Sequence, residues 1–400
     1  MYTYEHTLTE RTRVLRDAAV ARLQARFGVE PEAVARAPGR LEVLGGHTDY
    51  NEGFVLAVAT EQATVIAGAR SGDSLLRAWT DCDESEAAFD IRRVDEGPWG
   101  RWWDYPAGVI AELRSEGCEP VGADLAVISD VPIGGGVSSS AALEVACALV
   151  MAGLAGCTVD AEALALLCQR AENDYVGMRC GIMDQFASVF ARAGHAMWLD
   201  CRSRERRLVP MNSDDARFVV CDTNTPRELV GSAYNERRES CERAAEILGV
   251  DALRDVDEEA LAAGAELLSE TQRRRARHVV GENARVNAGV EALQAGDMDT
   301  LGELLNASHA SLRDDYEVSC PELEAMRTAA LGSPGCFGAR LMGAGFGGCV
   351  LALVEAGLVD DFAARVGQQY QAETGLTPQI FATAPADGAG MIAFESEEGM

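Results

Sequence analysis

Three glycines and, after a single valine, three serines stand in VPIGGGVSSSAALEVA, residues 131–146, after which the chain turns strongly apolar. Glycine lets a backbone approach a ligand closely and aim its N–H groups at it. A helix that starts at once adds partial positive charge, so an anion is favoured at that point. Gly134, Gly135 and Gly136, followed by Ser138, Ser139 and Ser140, therefore read as a cradle for phosphate groups, with hydroxyls able to ligate a hard cation such as Mg²⁺. A plain glycine turn with serine caps has the same composition.

Three other stretches hold residues of chemical interest. APGRLEVLGGHTDYNEG (37–53) gathers Arg40, His47 and Asp49 among turn residues, short polar groups of the kind that grip a small polyol. His47 as a loop residue and Asp49 as a turn former remain the plainer readings. AENDYVGMRCGIMDQFASVFA (171–191) puts Glu172 near the end of one helical pattern and Asp184 near the start of the next, just after Gly181. A carboxylate in a first helical turn sits well against the helix dipole, with or without a further role. LMGAGFGGCVL (341–351) crowds glycines around one Phe, which suits either a hairpin turn or close approach to a phosphate.

Charge excludes several functions. The 400 residues carry 35 basic and 64 acidic side chains, a net charge of -29. That argues against nucleic acid or an anionic membrane as partner. None of the basic residues is lysine. A Walker A loop, a protein-kinase ion pair, a Schiff base and pyridoxal phosphate chemistry all need that amine, so none belongs to this chain. An acidic, lysine-free surface is expected of a protein working in concentrated salt, where repulsion is screened; a codon bias towards arginine gives the same composition. The twelve cysteines are scattered without C-x-x-C or zinc spacing and are expected to be reduced and mostly buried. The charged start, MYTYEHTLTERTRVLRD, has no apolar signal core, and no run of apolar residues could span a bilayer. The expectation is a cytoplasmic protein.

The elements that must hold these residues alternate in type. Helical patterns are expected at 8–27, 139–153, 161–175, 232–247, 272–296, 298–311 and 359–375. Extended segments are expected at 41–44, 54–60, 63–70, 123–130 and 217–223, with a strand, glycine turn and strand at 338–357 and a short strand near 379–385. Strands and helices interleave in both halves, so the fold class is α+β with two lobes. The division is expected near residue 205, giving an N-terminal lobe of 1–205 with the phosphate loop and a C-terminal lobe of 206–400.

Taken together and in this order, the motifs resemble one family, the galactokinases of the GHMP small-molecule kinase superfamily. APGRLEVLGGHTDYNEG resembles the galactokinase signature, VPIGGGVSSSAALEVA the superfamily phosphate loop and MGAGFGGC its C-terminal glycine motif. CGIMDQF, GHAMWLDCRS, AYNERRESCE and SLRDDYEVSCPEL are more selective. The resemblance runs from about residue 8 to 393. It implies a mixed-sheet N-terminal lobe, a ferredoxin-like C-terminal lobe, and transfer of phosphate from ATP to the C1 hydroxyl of galactose. Arg40 and Asp184 would meet at that hydroxyl, with Asp184 as general base or orienting group and Arg40 stabilising the transferring phosphoryl group. His47, Asp49, Gly181 and Tyr234 match positions that grip the sugar. Ser139 or Ser140 would hold Mg²⁺ with Glu172. Residues 134–140 would cradle the phosphates, and the Gly343–Gly348 turn, with Gly345, would close beside them. The partner is a small sugar, and a monomer or weak homodimer is expected.

Two positions depart from the family. Its members read G-E-H-T-D-Y with the Glu on a sugar hydroxyl, whereas this chain has Gly46; they have Asn where this chain has Glu42. Either Glu42 replaces the missing carboxylate or the sugar is a related one, such as galacturonate or arabinose. A sensor that binds sugar and ATP without turnover is the reading from outside enzymes, and the intact loop, Arg40 and Asp184 speak against it.

Overall fold

The computed structural model describes residues 8–211, 214–225 and 230–393; residues 1–7 of the charged N-terminal stretch lie outside them. Helix α1 (Glu10–Phe27) opens where Thr9 accepts a hydrogen bond from the Thr12 amide, and closes at Gly28 with a left-handed φ of 70°. The chain then builds β1 (Ala33–Leu44), β2 (Phe54–Arg70), β3 (Leu75–Thr80), β4 (Glu86–Asp90), α2 (Asp104–Ser115) and β5 (Ala123–Ser129). After the phosphate-loop candidate come α3 (Ser139–Ala155), α4 (Ala161–Arg170), α5 (Met183–Phe190), β6 (His195–Asp200) and β7 (Arg206–Pro210). The rest of the chain forms β8 (Ala216–Asp222), α6 (Val230–Leu248), α7 (Glu258–Ala263), α8 (Glu270–Ala295), α9 (Met298–Asp314) and α10 (Pro321–Leu331). It ends with β9 (Cys336–Met342), β10 (Cys349–Glu355), α11 (Val359–Thr374), β11 (Gln379–Thr383) and β12 (Gly390–Met391).

Two sheets organise these elements. The larger runs β12-β1-β2-β5-β3-β4, with β6 beside β2 and β7 beside β6. It is mixed, since β3 and β5 are parallel and the other pairs antiparallel. The smaller is antiparallel, β11-β8-β10-β9. The fold is therefore α+β with two sheet-based lobes. Residues 206–210 and 390–391 pair within the larger sheet.

The expected break between residues 60 and 63 is absent: 54–70 is one seventeen-residue strand. The irregularity lies in its partner, where the β1 register shifts between Pro38 and Arg40. Gly39 sits there because an added Cβ would fall 2.6 Å from the Val137 carbonyl oxygen. Strand β1 is thereby pressed against the loop that precedes α3.

The cores explain why the site is held. One apolar cluster packs α2, α3, α4 and α5 on the larger sheet, and α3 owes its composition to burial within it. A second packs α6, α8, α10 and α11 on the smaller sheet. A third joins Leu41 and Val43 of β1 and Val131 and Val137 of the loop to Phe218, Val220, Leu351 and Leu353 of the smaller sheet. The two sheets thus share a continuous apolar seam behind the loop. The cysteine expectation needs one correction, because Cys118 and Cys157 are disulfide-bonded while the other ten form no disulfide. They lie just beyond the ends of α2 and α3, 39 residues apart, and packing of those two helices brings their ends together.

Candidate active site

A cavity of about 900 Å³ opens where β1, the 131–138 loop, α5 and the turn after β9 converge. Its centre is an arginine–carboxylate pair. Arg40 Nε donates to Asp184 Oδ1 at 2.8 Å and Nη2 lies 2.7 Å from the same oxygen, while Nη1 donates to the Gly136 carbonyl at 2.6 Å. Ser138 Oγ donates to Asp184 Oδ2 at 2.6 Å. One carboxylate is thus fixed through both oxygens, by residues from a strand and a loop.

The loop is shaped for close approach. Gly134 and Gly136 have φ of 74°, and Ser138, the residue before α3, has φ of 58°. The Ser138 side chain does not cap α3, and Ser138–Ser140 line the cavity, so an anion there is a natural partner for the first-turn amides. Gly343, also left-handed, packs so closely on Gly136 that a Cβ would lie 3.3 Å from its Cα. The two glycine motifs, far apart in sequence, meet here.

One wall carries Arg40, Glu42, His47, Asp49 and Tyr234. His47 is buried, with Nδ1 held by the Tyr50 hydroxyl at 2.8 Å, and burial followed by nearby His278 pushes its pKa well down, so the ring is neutral. Tyr50 in turn meets the Tyr316 hydroxyl at 2.7 Å. Asp49 is pushed up to about 7 by burial and then by the charges of Asp184 and Glu42. The opposite wall carries Thr80, Asp83, Trp102, Tyr105, Val127 and Ile133. Trp102 Nε1 donates to Ser85 Oγ at 2.9 Å. Apart from Ile133 of the glycine loop, this wall comes from β3 and the turn after it, β5, and the approach to α2 with its first turn, in segments without a glycine motif.

Most of the residues expected from sequence line this one cavity: Arg40, His47, Asp49, Gly134, Gly136, Ser138, Ser139, Ser140, Glu172, Asp184 and Tyr234. Three glycines stand behind it. Gly181 packs on Asp49, where a Cβ would fall 2.1 Å from Oδ2; Gly135 faces Asp222; and Gly345 backs onto the Val318 carbonyl, 2.3 Å from a Cβ. Trp102, Tyr105, Thr80 and Asp83 were not foreseen. The one available signal was the aromatic pair WW at 102–103 in a polar stretch.

A divalent cation fits beside the central pair. Glu172 is buried in the turn after α4, and its Oε2 accepts from Gln185 Nε2 at 2.8 Å. Its carboxyl is pushed up to about 7 by burial and then by Asp184, with the Ser140 hydroxyl bonded to it. Two neighbouring carboxylates and a serine hydroxyl are the hard oxygen set that Mg²⁺ takes, with phosphates and water completing the shell. Among the described residues no cluster of three His, Cys, Asp or Glu side chains suits a metal, so such an ion would depend on a phosphate ligand. The same Gln185 nitrogen donates to Glu144 Oε2 at 3.0 Å, so one amide bridges two buried acids.

Comparison with known proteins decides the family. Residues 21–70 match the galactokinase galactose-binding signature, residues 104–192 the GHMP kinases N terminal domain and residues 290–372 the GHMP kinases C terminal. The chain is 46% identical to a galactokinase of Roseiflexus sp. (strain RS-1) over 376 residues, covering 93% of this chain and 96% of that protein. It belongs to the galactokinase family. To the galactokinase of Homo sapiens, this family member is 41% identical over 92% of its own length and 94% of the other. The structure of Lactococcus lactis galactokinase complexed with galactose superposes with a TM-score of 0.89 at 34% identity, covering 93% of this chain and 98% of that one. Mevalonate kinase, at 16% identity and a TM-score of 0.60, shares the fold. Among the described residues no helix is long and apolar enough to cross a membrane.

Proposed function

We propose that this chain transfers the γ-phosphoryl group of ATP to the anomeric hydroxyl of D-galactose, giving α-D-galactose 1-phosphate and ADP. The Arg40–Asp184–Ser138 contact at the junction of the two cavity walls carries the reading. Phosphoryl transfer leaves little covalent work to a protein; positioning and charge stabilisation dominate. The wall of Arg40, His47, Asp49 and Tyr234 holds the sugar with C1 towards Asp184. Asp184 orients that hydroxyl and receives its proton as the new O–P bond forms. Arg40, anchored by the Gly136 carbonyl, faces the charge that builds on the phosphoryl oxygens.

The loop of Gly134, Gly135, Gly136 and Ser138–Ser140, with the α3 amides, receives the phosphates, and the Gly343–Gly345 turn lies against it. Trp102, Thr80 and Ile133 offer the apolar and polar surfaces a nucleobase needs. Glu172 with Ser139 or Ser140 would hold Mg²⁺, which neutralises phosphate charge when bound. Apart from Tyr234 and the closing turn, which come from 206–400, the sugar and phosphate residues fall within 1–205. A monomer or weak homodimer working in the cytoplasm goes with this reading.

The test is an ADP-release assay with ATP, Mg²⁺ and a panel of galactose, arabinose, galacturonate and glucose. Rapid turnover on galactose is expected, with Asp184→Asn losing at least a thousandfold in kcat while still binding ATP. Tight binding of both substrates without turnover would mean a sensor instead, and Asp184→Asn at near wild-type rate would remove Asp184 from its assigned role.

A further inference from the structure

The room beside Gly46 is taken by the ends of two side chains. Its φ is not left-handed, so backbone freedom does not require it. A Cβ there would lie 2.7 Å from Arg340 Nη2 and 2.9 Å from Glu42 Oε1. The space beside residue 46 is already filled by an ion pair from two strands, Glu42 on β1 and Arg340 on β9.

That pair is built with care for its charges. Arg340 is fully buried and Glu42 is 3% exposed. Arg340 Nη2 donates to Glu42 Oε1, Nη1 donates to the Val43 carbonyl at 2.9 Å and Nε to the Leu341 carbonyl at 3.0 Å. Glu42 stands two residues after Arg40 on the same strand, and both line the cavity. Arg340 does not line it. The arginine is a buried support, and the carboxylate is the part presented to the ligand.

We propose that Glu42 is a sugar-binding, specificity-determining carboxylate, and that positions 42 and 46 share a single slot which only one acidic side chain can fill. Arg340 takes Oε1 and holds the group in place, leaving Oε2 to accept from a hydroxyl of the bound sugar. This rests on the phosphotransfer reading above, and it adds a ligand contact on the wall shared with His47 and Asp49.

The experiment compares wild type, E42Q and E42N/G46E. Each is assayed on galactose and on 2-deoxy-, 3-deoxy-, 4-deoxy- and 6-deoxygalactose, with KM taken where there is turnover and the inhibition constant where there is none. Losing one hydrogen bond to a charged group predicts that E42Q raises the galactose KM roughly ten- to hundredfold, with the KM for ATP within twofold. The loss should disappear for the one deoxy sugar that lacks the contacted hydroxyl. E42N/G46E returns an acid to the slot from the other side, so it should recover galactose KM to within about fivefold of wild type. A galactose KM in E42Q within twofold of wild type, or an equal loss on all five sugars, overturns the assignment; an equal loss would mark Glu42 as a structural partner of Arg340. Should E42Q fail to fold, the double variant decides alone, since no recovery means that no shared slot exists. Wild-type inactivity on galactose itself would refute galactose as the acceptor, and this assignment with it.

Discussion

Ser138 offers the sharpest test of how the central carboxylate is held. Its hydroxyl is 2.6 Å from Asp184 Oδ2, and its backbone is left-handed at φ 58°. Ser138→Ala removes the hydrogen bond and keeps the Cβ, so backbone strain is unchanged. A hydrogen bond to a charged group is worth about 1.5–3 kcal/mol. If the carboxylate must hold that orientation only while the proton moves, the whole amount appears in kcat, a loss of roughly 10- to 150-fold. Galactose KM should change by less than about threefold, because the residues gripping the ring are untouched. Ser138→Gly loses the same bond but relieves left-handed strain of about 1–2 kcal/mol, offset by glycine's larger loss of chain freedom on folding, about 0.5–1 kcal/mol. The two variants should therefore lose the same factor in kcat while their melting temperatures differ, with the glycine variant no less stable. Steady-state kinetics and thermal melts on the three proteins suffice. A kcat for Ser138→Ala within threefold of wild type would refute the positioning role, and a loss that tracked stability would assign the effect to folding.

Other consequences follow from the same geometry. Gln185→Leu removes the amide that fixes Glu172, so the Mg²⁺ concentration for half-maximal rate should rise about tenfold with galactose KM unchanged; an unchanged Mg²⁺ requirement would show that Glu172 is not a ligand. Glu172 and Asp49 are raised to about 7 in the free protein, so each holds a proton below that pH, and a cation bound at Glu172 must displace the proton there. Apparent Mg²⁺ affinity, measured by titrating activity, should fall as pH drops from 7 towards 5, and Glu172→Gln should abolish that dependence along with most of the affinity. A raised acid also means that the folded protein binds more protons than the unfolded chain between about pH 4 and 7. These two groups therefore favour the folded state at the acid end of that window, and their contribution is lost as pH rises through 7. With a net charge of -29, melting temperature should climb between 0.1 and 2 M KCl as repulsion is screened; a steady fall would show that the arginine ion pairs outweigh the repulsion.

The phosphate side is legible in the sequence because its chemistry is local. Gly134, Gly136 and Ser138 do their work through backbone conformation, and glycine before a helix announces that within a few residues. Arg40 and Asp184, 144 positions apart, give no sign of contact by themselves; only the family resemblance pairs them. The wall of Thr80, Asp83 and Trp102 escapes notice for a related reason. Thr80 and Asp83 lie at the end of β3 and in the turn after it, Trp102 on the approach to α2, and each is an ordinary residue of its local pattern until the sheet closes. The long β2 reads as two strands because Glu61-Gln62 is polar, although β1 and the C-terminal segment cover it, with the Glu61 amide bonded to Thr383 Oγ1 at 3.0 Å. The Cys118–Cys157 bond joins helix ends that come together only through packing.

The Arg340–Glu42 pair also bears on how the two sheets move. A buried ion pair is costly unless every donor is met, and here β9 of the smaller sheet reaches β1 of the larger through the Glu42 and Val43 contacts. Val318, which follows α9, accepts from the Phe346 amide at 2.7 Å and so ties the far end of the glycine turn to the smaller lobe. Swinging the sheets apart about this seam would expose Arg340 and strand its donors at once, on top of opening the apolar cluster around Leu41, Val220 and Leu351. The contact between Gly343 and Gly136, by contrast, involves two left-handed glycines without side chains to interlock. Loosening the contact between the 131–138 loop and the Gly343 turn therefore strands fewer groups than opening the seam. The seam anchors β1, which carries Arg40 and Glu42, through side chains, whereas the glycine contact rests on backbone alone.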